Sequence, residues 1–295
     1  MFISEDRDFI EDIINENENK TDKFMKKINK SLFDMLKNPT DEQIKKFRDT
    51  TDALLVGWIL AMMEDAKPDY YQATQIGIDV ADTQLKQKGI NKIKNKNITK
   101  ETFTSKVDSR IDSLQQDLTA ITESIKSNSE KIIKELKSNP TANTLPEQKK
   151  ISADLVADLQ EKGITFFTDK IGRKTPIEKY VRMRVFTDSV SLQRTSYFVR
   201  AIQYGVDLVR IVHLNIHPTC ELCAPFEGKI LSINGDEEGY MTIEEAENFG
   251  LFHPNCDHVP EELELAPVDA GGEGIINLNE ANKKRSEYNN KKNVI

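Results

Sequence analysis

The chain has 295 residues, 31% of them charged, with 41 Lys+Arg against 49 Asp+Glu and a formal net charge of −8. That length allows two domains and a sizeable core, while the acidic balance disfavours general affinity for bare nucleic acid, because the summed charge repels phosphate. The densest apolar run, Ala53 to Met63, is far short of the roughly twenty residues that a membrane-spanning helix needs, and the acidic start MFISEDRDFIED does not read as a secretory signal.

The first half reads as helical. Apolar residues recur at three- and four-residue steps through Phe24, Met25, Ile28, Leu32, Met35 and Leu36. Asn38-Pro39-Thr40-Asp41 breaks that helix and opens a second, predicted over about 40–66, with a wide apolar face from Ile44 to Met63. The run Ala53 to Met63, with the single Trp58, is expected to be its buried part. Pro68 is expected to start a third helix that ends near Gly89. The basic stretch Lys86 to Lys96 reads as a solvated loop. Val107, Ile111, Leu114, Leu118, Ile121, Ile125 and Ile132 then trace a heptad seam over about 103–136, with Asn128 at a core position.

That seam has two readings. It can be an antiparallel helix of a bundle, or a coiled-coil arm that self-associates or docks on another subunit. A helix of about 35 residues is roughly 50 Å long, more than one small domain spans. The proline-rich segment that follows, Asn139 to Gln148, closes the helix and favours the arm. The domain boundary is placed there, giving a helical domain or arm over 1–142, an α+β domain over 143–262 and a flexible tail over 263–295. Such a tail could also be a peptide that docks on a neighbouring subunit. The fold class expected is α+β, mostly α.

In the second domain a short helix is expected over about 149–162, then a hairpin from Gly163 to Ile177 that turns at Gly172. Pro176 suits the first turn of a helix running to about 204, ahead of Gly205, although its apolar stripe is not clean. Val206 to His213 is rich in β-branched residues and reads as a buried strand. Gly228 to Ile233 reads as a second strand and Asn234-Gly235 as a turn. Thr242-Ile-Glu-Glu245 has the form of a capping box, so a short helix is expected over 243–249, ended by Gly250. After Pro260 the sequence reads as irregular.

All 3 cysteines and all 4 histidines lie between His213 and His258. Thiolate and imidazole are the ligands zinc prefers, and a structural site needs four of them. Cys220-x2-Cys223 supplies two sulfurs from one turn, and His253-x2-Cys256-x-His258 supplies a third sulfur and a choice of imidazoles. The expected set is Cys220, Cys223 and Cys256 with His253, since His-x2-Cys copies the bite of Cys-x2-Cys. His258 competes for the fourth place, and His213 and His217 come behind. The bound zinc would be structural, standing in for the small core of such a unit. An odd, clustered set of cysteines also argues against a disulfide scaffold and for folding in a reducing compartment.

Other chemistries fit less well. A redox pair wants the C-x-x-C at a helix N-terminus in a βαβ setting. A Cys256 nucleophile with His258 or His253 as base lacks a strained elbow and an oxyanion-hole glycine run. The H-x-E of zinc deaminases and the H-E-x-x-H of zinc proteases are absent. No catalytic residue is therefore assigned.

The order of the motifs carries a resemblance. F-T-D-K-I-G-R-K, Y-V-R-M-R-V-F-T, G-V-D-L-V, C-x-x-C-x4-G-K and G-L-F-H-P-N-C-D-H follow one another over about 165–260. This stretch is similar to the minor capsid and head-morphogenesis proteins of tailed bacteriophages, the group of Mu protein F and of phage minor capsid protein 2. In that group the second cluster usually reads H-P-x-C-R followed by Cys or His, and here Asp257 stands in the arginine's place. The resemblance implies a structural role near the portal vertex in head assembly or DNA packaging. It also implies the portal or major capsid protein as partner, and a place in the virion after assembly in the host cytoplasm. The competing class is a zinc-stapled nucleic-acid-binding module or a nuclease of the His-Asn-His type. That reading would use His213 at a strand end and Asn248 on the following helix.

Overall fold

The computed structural model describes residues 4–138, 166–168, 172–214, 220–264, 283 and 286–287. The helix expected over 149–162, the domain boundary near 143, His217 and nearly all of the tail lie outside the described residues. The rest is mostly helical, followed by a small mixed α/β region, as the sequence predicts. Three long helices come first: α1 (Ser4–Lys37), α2 (Asp41–Gln87) and α3 (Lys100–Ser138). The hairpin strands β1 (Phe166–Thr168) and β2 (Lys174–Pro176) and the helix α4 (Ile177–Gln203) follow. The last elements are β3 (Leu208–His213), a 3-10 turn (Ala224–Phe226), β4 (Ile230–Ser232), α5 (Ile243–Phe249) and β5 (His258–Glu264).

One expectation about the helices is corrected. Pro68 does not start a new helix but lies inside the 47-residue α2. A proline there removes one backbone hydrogen bond and crowds the preceding turn. Ala66, Tyr70 and Ala73 around it are all fully buried, and the Tyr70 hydroxyl donates to Asp188 at 2.9 Å. Packing on both sides outweighs the local penalty, so the helix continues.

The described residues form two compact units, and one consists of Ile14–Lys67 and Arg110–Val185. Its core is built by the apolar steps read from the sequence. Ile28, Leu32, Met35, Phe47, Leu55 and Met62 are buried together with Leu114, Leu118, Ile121, Ile125 and Ile132 of the heptad seam. Phe24 stacks on Trp58 with ring centroids 4.8 Å apart, and the indole N–H donates to Thr21 Oγ1 at 3.3 Å. Ion pairs line the same side of α3: Arg48–Glu130 at 2.6 Å, Lys126–Asp52 at 2.7 Å and Lys137–Asp41 at 2.8 Å. All three are exposed and stabilise little individually.

Two readings change in this unit. The seam is covered within the chain itself, so α3 is a bundle helix rather than an arm awaiting a partner, and self-association through 103–136 loses its apolar surface. The run Ala53 to Met63 is buried on one side only, since Leu55, Trp58 and Met62 face inward while Val56 and Leu60 are 57% and 64% exposed. A run without polar residues carries no period from which to tell its faces. In the hairpin, β1 pairs antiparallel with β2, and Phe167 lies against Tyr180 of α4 with centroids 4.6 Å apart.

The other unit consists of Met1–Ile13, Pro68–Ser109 and Phe186–Ile295. Its sheet has the order β4-β3-β5, both pairings antiparallel. The sheet, α5 and the 3-10 turn bury Val209, Ile211, Phe226, Leu231, Ile243, Ala246 and Leu263 against Ala81, Leu85, Tyr197 and Ala201. α4 is enclosed nearly all round, with Asp188, Ser189, Gln193, Arg194 and Ser196 buried beside its apolar residues. That explains its unclear stripe: a helix covered on every side has no solvent face to mark.

Strand β5 runs against expectation, since the sequence after Pro260 reads as irregular. Pro260 and three nearby glutamates argue against a strand. Pro260 nevertheless pairs with Ile211 at a register shift on an edge strand, where a missing N–H interrupts little of the ladder. Gln84 then secures the strand from α2: its Oε1 accepts from the Tyr197 hydroxyl at 2.6 Å and from the Leu263 N–H at 2.9 Å. Its Nε2 donates to the Glu261 carbonyl. Gln84→Ala strands these buried groups and should cost about 1–3 kcal/mol in chemical denaturation.

Candidate metal centre

Two loops bring the sulfurs and imidazoles together. The first follows β3, where backbone N–H groups of Cys223 and Ala224 both donate to the Cys220 carbonyl at 3.1 Å. This tight turn points Cys220 and Cys223 the same way, with their sulfurs 3.7 Å apart. The second loop leaves α5, which is built as read: Thr242 and Glu245 form a complete capping box, and Gly250 ends the helix at φ 109°.

The second loop carries a signal that the sequence reading missed. Phe252 and Asn255 both take positive φ, 62° and 64°. Asparagine tolerates this, but a bulky aromatic residue does so only when packing holds it. Here the Arg194 guanidinium lies over the Phe252 ring at 4.1 Å and Phe198 packs at 6.3 Å. The same guanidinium donates to the carbonyls of Cys256 at 3.2 Å and His258 at 3.1 Å. The buried Arg194 thus holds the second loop in shape from α4 and sets a positive charge beside the sulfurs. Nothing in its sequence neighbourhood marks it out.

The result is a continuous run of donors. His253 Nε2 lies 2.9 Å from Cys220 Sγ, Cys223 Sγ lies 3.5 Å from Cys256 Sγ, and Cys256 Sγ lies 3.4 Å from His258 Nδ1. The donor atoms of Cys220, Cys223 and His253 lie within 4.8 Å of one another, and so do those of Cys223, Cys256 and His258. Zinc–sulfur bonds of about 2.3 Å in a tetrahedron put sulfurs about 3.8 Å apart. The Cys220–Cys223 and Cys223–Cys256 spacings of 3.7 and 3.5 Å come close to that, while Cys256 shares no 4.8 Å group with Cys220 and His253, so one four-ligand site requires the two loops to close further. Cys223 and Cys256 are buried at 1% and 3% exposure, which disfavours Cys256 as a nucleophile that a substrate must reach.

The electrostatics suit a cation. Hydrogen bonding from Cys223 outweighs burial and, with His253, holds the Cys220 thiol down to about 4. The Cys256 thiol is held down to about 3 by Cys223, against burial and with help from His258 and Arg194. Cys223, between two thiolates, is pushed up by its hydrogen bonds to Cys220 and Cys256 and by burial. Burial lowers His253 and His258, but their thiolate neighbours outweigh it and raise both. Both rings are oriented on the far side: His253 Nδ1 contacts the Pro254 carbonyl at 2.7 Å and His258 Nε2 contacts Glu227 Oε1 at 3.1 Å. Such outer contacts fix the ring of a metal-ligating histidine.

The structure therefore gathers Cys220, Cys223, His253, Cys256 and His258, a cluster of three sulfurs with imidazoles beside them that could hold a metal ion. It also brings in His213, whose Nε2 is 2.7 Å from Asp257 Oδ1 and whose ring is 4.8 Å from that of His258. Asn248 lies on the exposed face of α5.

The described residues thus combine long helices with a small cysteine–histidine region. The family model described as phage minor capsid protein 2 matches residues 8–293, and the chain belongs to that family. No curated protein and no solved structure matches the chain. No helix among the described residues is long and apolar enough to cross a membrane.

Proposed function

We propose that the protein acts near the portal vertex of a tailed-phage head, in head assembly or DNA packaging, with the portal or major capsid protein as partner. Membership of the minor capsid family over residues 8–293 is the observation that carries this reading. Its location is the virion, which it enters by assembly in the host cytoplasm. Its role is structural, and none of its residues is assigned to catalysis.

Within that role, Cys220, Cys223, Cys256 and His253 hold one zinc ion. Of the two histidines beside the sulfurs, His253 has the closer approach, 2.9 Å to Cys220. With four protein ligands the ion has no open position for water, so it supplies structure only. It ties the loop after β3 to the loop after α5.

Quantitative analysis of purified mature particles tests the head role. The expected result is this protein at a fixed, low ratio to portal. Complete absence from both mature particles and assembly intermediates would remove the vertex reading.

A further inference from the structure

We propose a second, separate cation site beside the thiolates, formed by His213, Asp257, His258 and Glu227 and suited to a first-row divalent transition metal. It rests on the reading that His253, not His258, completes the zinc site.

The strand register builds it. His213 and His258 stand directly opposite each other where β3 pairs with β5. Opposed residues of an antiparallel pair present their side chains on one face, a few ångströms apart. Their rings lie 4.8 Å apart at 39°. Each imidazole then meets a carboxylate: Asp257 Oδ1 is 2.7 Å from His213 Nε2, and Glu227 Oε1 is 3.1 Å from His258 Nε2. Donor atoms of His213, Asp257 and His258 all lie within 4.8 Å of one another. Metal bonds of about 2.0–2.2 Å to nitrogen and oxygen put neighbouring donors about 3.0–3.5 Å apart. For His213, Asp257 and His258 the observed separations bracket that range, and Glu227 joins the site through His258.

Burial and chemistry point the same way. The side chains of His213, Asp257 and His258 are 7%, 4% and 2% exposed. Glu227 is 38% exposed and marks the solvent side by which an ion would enter. Two imidazoles with carboxylates, and no sulfur, suit Zn, Fe or Mn rather than a soft thiophilic ion. The frame is rigid: β3 and β5 are paired, the Leu214 N–H donates to the Asp257 carbonyl at 3.1 Å, and Arg194 holds the His258 carbonyl.

Cobalt(II) titration of the full-length, metal-stripped protein under reducing conditions separates the two sites. Thiolate-bound cobalt gives charge-transfer absorption, and cobalt held by nitrogen and oxygen alone does not. The wild type should bind about two equivalents, about one of them with the charge-transfer band. His213→Gln and Asp257→Asn should each bring binding down to about one equivalent and leave the band intact. Cys220→Ser with Cys223→Ser should abolish the band and leave the other equivalent; a wild type that binds one equivalent without the band would condemn the zinc reading only. A single equivalent in wild type that carries the band, or two equivalents retained in folded Asp257→Asn, would overturn the second site. Circular dichroism checks folding, and the near-isosteric Asp257→Asn decides if His213→Gln unfolds.

Discussion

Aspartate at both Leu118 and Ile121 should unfold the isolated protein. Both side chains are 1% exposed, in the core of the unit formed by Ile14–Lys67 and Arg110–Val185. Truncating one such residue to alanine already costs about 2–5 kcal/mol. Aspartate adds the cost of an unpaired buried charge. Two such changes together match or exceed the net stability of about 5–15 kcal/mol of a typical domain. Circular dichroism of the isolated double variant should show loss of helix at 25 °C. A folded, helical monomer that fails only to enter heads would restore the arm reading, with the seam serving another subunit.

The second large effect concerns the proposed zinc. Cys223→Ser removes the sulfur that contacts both Cys220 and Cys256, at 3.7 and 3.5 Å. Metal binding to such sites contributes on the order of ten kcal/mol. Without the ion, the remaining thiols of Cys220 and Cys256 are polar groups set in the apolar cluster of Phe226, Leu251 and Ile243. Limited proteolysis of the variant, or of wild type with chelator, should cut within 213–258 many-fold faster. The core around Phe24, Trp58 and Leu118 contains none of these ligands and should keep its protection. Unchanged cleavage within 213–258 would mean that the metal does not hold these loops.

Much of this architecture is legible in the sequence because short-range chemistry decides it. The capping box at Thr242, the left-handed Gly250 and the break at Asn38-Pro39 are local devices, and all three appear in place. The heptad spacing gives α3 its buried face, but spacing alone does not say which surface covers that face. Pro68 and β5 fail for a common reason. In both, tertiary contacts override a local penalty: Tyr70 with Asp188 in one case, Gln84 with Leu263 in the other. Five donors of the candidate centre could be read from the sequence because every cysteine and histidine of the chain lies between His213 and His258. Arg194, Glu227 and Asp257 join them only through folding, from a helix, a turn and the start of a strand, and charged residues are too common to stand out.

Zinc content is the most direct test of the central claim. Protein purified without a histidine tag, under reducing conditions, is dialysed against a weak chelator to clear exchangeable ions and then analysed for zinc and sulfur together. A closed three-sulfur site should retain close to one zinc per chain. Zinc below about a tenth of that value, in protein that remains folded, would contradict the account.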